Sequence, residues 1–170
     1  GTFFFQDPEI FLDAFGASFL DRVLFTGEPD NRSQLGYQTE GPNGNRVFKF
    51  EVKNAGFFSG DEDDFANFQL WLYEATSVME IHFGPSSVDP QVYQVDGWDG
   101  PFIGLANLVE NEFLYLDENP LNPTLYTLDE DSNGLIGTPP AGTIYRFLPG
   151  ASSVNLLAEE PPLVPRVWTG

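Results

Sequence analysis

A chain of 170 residues, 41% hydrophobic and 15% aromatic, is long enough to bury the core of one domain. Seven bases against 26 acids leave a formal charge of −19 at pH 7, which excludes a surface built to neutralise nucleic-acid phosphates or an anionic membrane. Seventeen Phe exclude a disordered acidic tail, and the absence of Cys excludes disulfides, thiolate metal sites and a Cys nucleophile.

The chain opens on an aromatic run, Thr2-Phe3-Phe4-Phe5, without the features of a signal peptide. Pro8–Asp21 is the one stretch with helical spacing: Ile10, Phe11, Ala14, Phe15, Phe19 and Leu20 roughly track a 3.6 period that Gly16 interrupts. Pro42-Asn43-Gly44-Asn45 supplies a turn. After it, Arg46–Lys53 alternates, with Phe48, Phe50 and Val52 on one face and Lys49, Glu51 and Lys53 on the other, the pattern of a half-buried strand.

Phe68–Tyr73 predicts a second strand, covered on both faces, with Trp71 in the core. A break at Ala75-Thr76-Ser77 leads into Val78–Phe83, so these two strands form a hairpin. Loops follow at Gly84–Ser87, Val88-Asp89-Pro90 and Asp96–Pro101. Shorter strands are expected at Phe102–Leu105, Glu112–Leu116, Thr124–Leu128 and Thr143–Leu148, each bracketed by Gly, Pro or Asn. No apolar run approaches the roughly 20 residues of a membrane span.

The resulting expectation is an all-β antiparallel sandwich, jelly-roll-like, with at most one short helix near the N-terminus. Residues 1–150 form a single domain in this reading, and 151–170 a Pro-rich extended tail, linker or donor strand. The apolar termini are candidate assembly segments, through Phe3, Phe4 and Phe5 at one end and Val164, Val167 and Trp168 at the other.

Four strings in the middle of the chain resemble a β-rich module of unassigned role in large secreted proteins of Bacteroidota, many of which end in a sorting domain for type IX secretion. They are Glu40–Phe57, Asn67–Glu74, Met79–Ser87 and Gly137–Phe147. The likeness covers roughly residues 35–148, and the first 34 residues depart from it. It implies a secreted or cell-surface, non-catalytic β-sandwich and carries over no catalytic residues. A shorter likeness, an Asn-x-Phe-Gln-like strand shared with nidogen-type extracellular domains, carries nothing over.

Charge is unevenly spread: residues 54–145 hold sixteen acids and no Lys or Arg. Those carboxylates must be solvated, spread over the surface or bound to cations. Calcium is the candidate cofactor. Asp129, Asp131 and Asn133 place oxygen ligands at positions 1, 3 and 5 of a loop with Gly134 at 6. Pro140 then stands at position twelve, where an EF-hand has a bidentate Glu, and a plain β-turn at Ser132-Asn133-Gly134 explains the same residues. Asp61, Asp63 and Asp64 form a second acidic loop. Asp96 and Asp99 flank Trp98 in a third, and these three residues are the candidate carbohydrate contact.

His82, the one histidine, reads as an ordinary sheet-surface residue beside Glu80. With no Gly-x-Ser-x-Gly elbow and no second His, neither a Ser-His-Asp triad nor a zinc site is supported. The expected function is a non-enzymatic extracellular structural or adhesive module, a subunit of a surface fibre assembled by strand exchange; the alternative is a carbohydrate-binding module assisted by calcium. Expected partners are other copies of the chain, neighbouring domains of a larger surface protein, or polysaccharide, with no nucleic acid and no membrane insertion.

Overall fold

The computed structural model describes residues 2–4, 10–95, 97–107, 112–126 and 134–149. Alternation decides most of the architecture. The Phe48/Phe50/Val52 pattern becomes β5 (Val47–Phe57), and the hairpin after it becomes β6 (Ala66–Tyr73) and β7 (Met79–Phe83). Each of the short, Gly- and Pro-bracketed candidates is also a strand: β8 (Phe102–Asn107), β9 (Glu112–Asp117), β10 (Thr124–Tyr126) and β11 (Ile144–Phe147). N-terminal to these lie β1 (Thr2–Phe4), β2 (Ile10–Gly16), β3 (Phe19–Asp21) and β4 (Gln34–Glu40).

Two antiparallel sheets result, as expected for a β-sandwich. One runs β1-β2-β8-β9-β10; the other runs β11-β7-β6-β5-β3, with β4 also pairing β5. β3 takes residues 55–57 of β5 and β4 takes residues 47–53, while β6 occupies the opposite edge. β3 and β4 are therefore two collinear pieces along one edge of a single long strand. The excursion between them is closed by Ser33, whose hydroxyl donates to the Asn54 carbonyl (2.6 Å) and accepts from the Arg22 N–H (3.0 Å).

The core lies between the sheets. Phe15, on β2 of the first sheet, stacks on Phe68 (ring centroids 5.3 Å apart) and meets Phe57 and Phe83 of the second. Leu12, Ile103 and Leu116 complete it from one side, Leu70, Ile81 and Tyr145 from the other. Each such side chain, fully removed from water, contributes roughly 1.5–3 kcal/mol.

The helix expected over Pro8–Asp21 is not formed; the described part of that stretch is β2 and β3. β2 lies between β1 and β8 and is buried on both faces, with Leu12, Asp13, Ala14 and Phe15 all enclosed. A register shift between Asp13 and Gly16 further disturbs its alternation, so the apolar spacing imitates a helix. Among the described residues helix is instead confined to single turns, α1 (Val23–Thr26), a 3-10 turn at Pro29–Asn31 and α2 (Gln91–Gln94). α2 grows out of the expected Val88–Pro90 loop: Asp89 accepts the Gln91 N–H (2.8 Å), and Tyr93 drops into the core, its hydroxyl 2.7 Å from that of Thr138.

Candidate functional site

The most elaborate polar constellation lies on the outer face of the six-stranded sheet. Register builds it. Gln38, Lys49, Trp71, Glu80 and Arg146 stand directly opposite one another across β4, β5, β6, β7 and β11, and Glu51, Gln69 and His82 form the next row. Cross-strand neighbours on one face are close enough to bond.

Glu80 is the centre, only 3% exposed although it points away from the core. One carboxylate oxygen accepts from Arg146 Nε (2.7 Å) and Nη2 (2.5 Å). The other accepts from the Tyr73 hydroxyl (2.8 Å) and lies 2.9 Å from His82 Nε2. An ionised carboxylate can only accept, so Nε2 of His82 carries the proton in that contact. Burial alone would push the Glu80 carboxyl up, but the hydrogen bonds from Tyr73, Arg146 and His82 outweigh it and hold the group below its ordinary value.

Trp71 continues the network. His82 stacks on its indole (4.3 Å) and the Lys49 ammonium sits 4.2 Å from its ring centroid. The indole N–H donates to Gln69 (2.8 Å), Gln69 donates to Glu51 (2.7 Å), and Lys49 pairs with Glu40 at 2.6 Å. Side chains are thus linked from β4 to β11 across the whole sheet. Chemically this is a clamp: both Glu80 oxygens already hold two donors each, whereas a general base needs a lone pair directed at its substrate.

The sequence placed His82 on the outer face correctly, but the structure buries it to 7% exposure, because Trp71 and Glu80 cover it. Neither tryptophan lies where its expected role would put it. Trp71, expected in the core, lies half-buried on the outer face. Trp98, the candidate carbohydrate contact, is half-buried against the core, with its ring edge-on to Phe102 at 4.8 Å. A legible signal did exist for the clamp: Arg146 is the only Lys or Arg between Lys53 and Arg166. Such a lone cation had to serve some carboxylate, although its partner, 66 residues away, could not be read.

In the second acidic loop the carboxylates organise backbone. Asp64 is 5% exposed and accepts the N–H groups of Asp61 (2.9 Å) and Asp89 (2.7 Å); Asp61 accepts that of Asp63 (2.9 Å). Among the described residues, no three His, Asp or Glu side chains are gathered as metal ligands. Asp99 lies in the bend beside Trp98. Phe3 and Phe4 belong to β1, which pairs with β2 of its own chain in the register Phe3 to Leu12 and Phe4 to Phe11. Phe5, Asp96, Asp129, Asp131, Asn133, Val164, Val167 and Trp168 lie outside the described residues.

No helix among the described residues is long and apolar enough to cross a membrane. No curated protein and no solved structure matches the chain. A family model described as NIDO related matches residues 23–149, the span from α1 through β11. That span covers well over half of the sequence and includes every strand of the clamp. The chain belongs to the NIDO-related family, a β-rich module typical of extracellular proteins.

Proposed function

We propose that the chain is a non-enzymatic extracellular module with a structural or adhesive role, acting through the surfaces of its sandwich. The observation that carries this reading is the family match over residues 23–149, of an extracellular type, on a two-sheet scaffold. The saturated Glu80 carboxylate agrees with it, since the most developed polar cluster ties strands together. The finer reading is a secreted, surface-exposed component of large Bacteroidota proteins. It rests on the four strings at 40–57, 67–74, 79–87 and 137–147, with strand exchange between copies as the mode of assembly and calcium as an assisting ion.

Strand exchange has a concrete form here. β1 is a three-residue edge strand on β2, and the same pairing made with the β2 of another copy would link chains. The test is light scattering and negative-stain microscopy of the purified chain, with calcium and with chelator, alongside a variant lacking residues 1–5. Long polymers lost on that deletion support the fibre. Particles that never grow beyond a pair in either condition sink it.

A further inference from the structure

We infer that β4 is a self-association edge, at which a second copy of this chain pairs antiparallel and joins two six-stranded sheets into one. The inference goes beyond the structural or adhesive role and does not depend on it. Open edges are ordinarily blunted by shortness, charge (Lys above all), proline or a bulge. β1, β3 and β10 have three residues each, and β11 has four and carries Arg146. β4 differs: its one charged residue is Glu40, at its end. It is seven residues long, runs beside β5 in unbroken register, contains no Pro, Lys or Arg, and is exposed along its whole length. Its far edge pairs with nothing among the described residues. Leu35 and Tyr37 share one face and are 72% and 79% exposed.

Charge and register select the occupant. β4 itself carries a single charge, Glu40, which Lys49 pairs at 2.6 Å, in a chain of net charge −19. Two copies therefore meet at this edge with little of the repulsion that their acidic surfaces impose. With a twofold axis at Tyr37, Gln34 faces Glu40 of the other copy, Leu35 faces Thr39, and Gly36 faces Gln38. All seven residues then pair, no like charges stand directly opposite, and Leu35 and Tyr37 extend one continuous apolar face. Such an interface is isologous and closes at two copies, so it makes dimers and not fibres.

The chain has no cysteine, which makes the register directly measurable. In the paired state Tyr37→Cys brings its two copies to about 4.5–5.5 Å between Cα atoms, within disulfide reach. Under mild oxidation it is expected to cross-link nearly completely into dimers, whereas Leu121→Cys, 58% exposed on the β9–β10 loop, does not. Sedimentation of the native chain should show a reversible dimer, and Tyr37→Lys, which sets two ammonium groups face to face, should raise its dissociation constant about tenfold or more. Unchanged circular dichroism in Tyr37→Lys confirms that the monomer is intact. A chain monomeric at millimolar concentration, a dimer indifferent to Tyr37→Lys, or equal cross-linking of the Tyr37→Cys and Leu121→Cys variants overturns the inference. Polymers in which Tyr37→Cys fails to cross-link overturn it while leaving the fibre reading standing.

Discussion

Replacing Arg146 by Met tests whether the Glu80 cluster holds the sheet together. Met keeps most of the aliphatic stem of Arg146 and removes both donors to a carboxylate only 3% exposed. Stripping one partner from a buried ion pair costs about 3–5 kcal/mol, because the charge left behind remains desolvated. Here Tyr73 and His82 still hold one oxygen, and the Arg146 side chain is 39% exposed, so water already screens the pair. The expected loss is therefore at the low end, about 3 kcal/mol, or about 6–12 °C in Tm for a domain of this size.

The loss should also depend on pH. Glu80 titrates below its ordinary value in the folded protein. Its charge therefore stabilises the fold above the usual carboxylate range, and that stabilisation is lost as pH falls through the folded value. Removing Arg146 forfeits stability at neutral pH, and the gap from the native chain narrows on acidification as Glu80 becomes neutral. The assay is urea unfolding followed by tryptophan fluorescence between about pH 7 and about pH 3, which spans the carboxylate range. Adding Glu80→Gln to Arg146→Met should recover part of the loss, since no charge is then buried. A loss below about 1 kcal/mol, or one independent of pH, would refute the clamp.

Glu74 accepts from the Arg46 side chain and from the backbone N–H groups of Arg46 and Gly44, which together hold its carboxyl down to about 2. A carbon-detected NMR titration should find that midpoint, and Arg46→Ala should raise it only partway, because the backbone amides at 44 and 46 remain; an ordinary midpoint in the native chain contradicts the geometry. Gly104→Ala should cost about 3 kcal/mol or more, since a Cβ there collides with the Leu114 carbonyl oxygen and meets Tyr115 at 2.8 Å. Gly36→Ala meets nothing within 4 Å and should stay within about 0.5 kcal/mol. Equal chemical-denaturation midpoints for the two variants would show that the close approach of β8 and β9 is not real.

Period-two alternation made β5, β6 and β7 readable because each turns apolar side chains to the core and mostly polar ones to the outer face, even where those are enclosed, as Glu80 and His82 are. The same logic fails on β2, where both faces are covered and Ile10 to Leu20 becomes an apolar run without a clean period. Trp71 and Trp98 depart from the sequence pattern for a related reason. Parity puts Trp71 on the same side as Lys49, Glu80 and Arg146, but how far that side is enclosed depends on partners from other strands. Trp98 sits in a Gly- and Asp-rich loop that looks open in sequence, yet it folds against Phe102. Glu80, Tyr73 and His82 were legible as neighbours on a hairpin. The closure of β11 on β7, which delivers Arg146, is a pairing between distant segments that no local pattern encodes.

The pairing of β2 with β8 has a kinetic consequence. Ile10 lies opposite Asn107, so the first sheet cannot form until the chain has been made or delivered almost to its ninth strand. β4 to β7, by contrast, join nearest neighbours in sequence, as do β8 to β10. Short loop closures precede long ones. The two meanders are therefore the early units, and β2, with Phe15 still in water, is the late one. During that interval the apolar N-terminal segment and the open face of the β4–β7 meander are both available to other molecules. The same delay that slows this chain's own closure is the window in which a neighbouring copy can take its place.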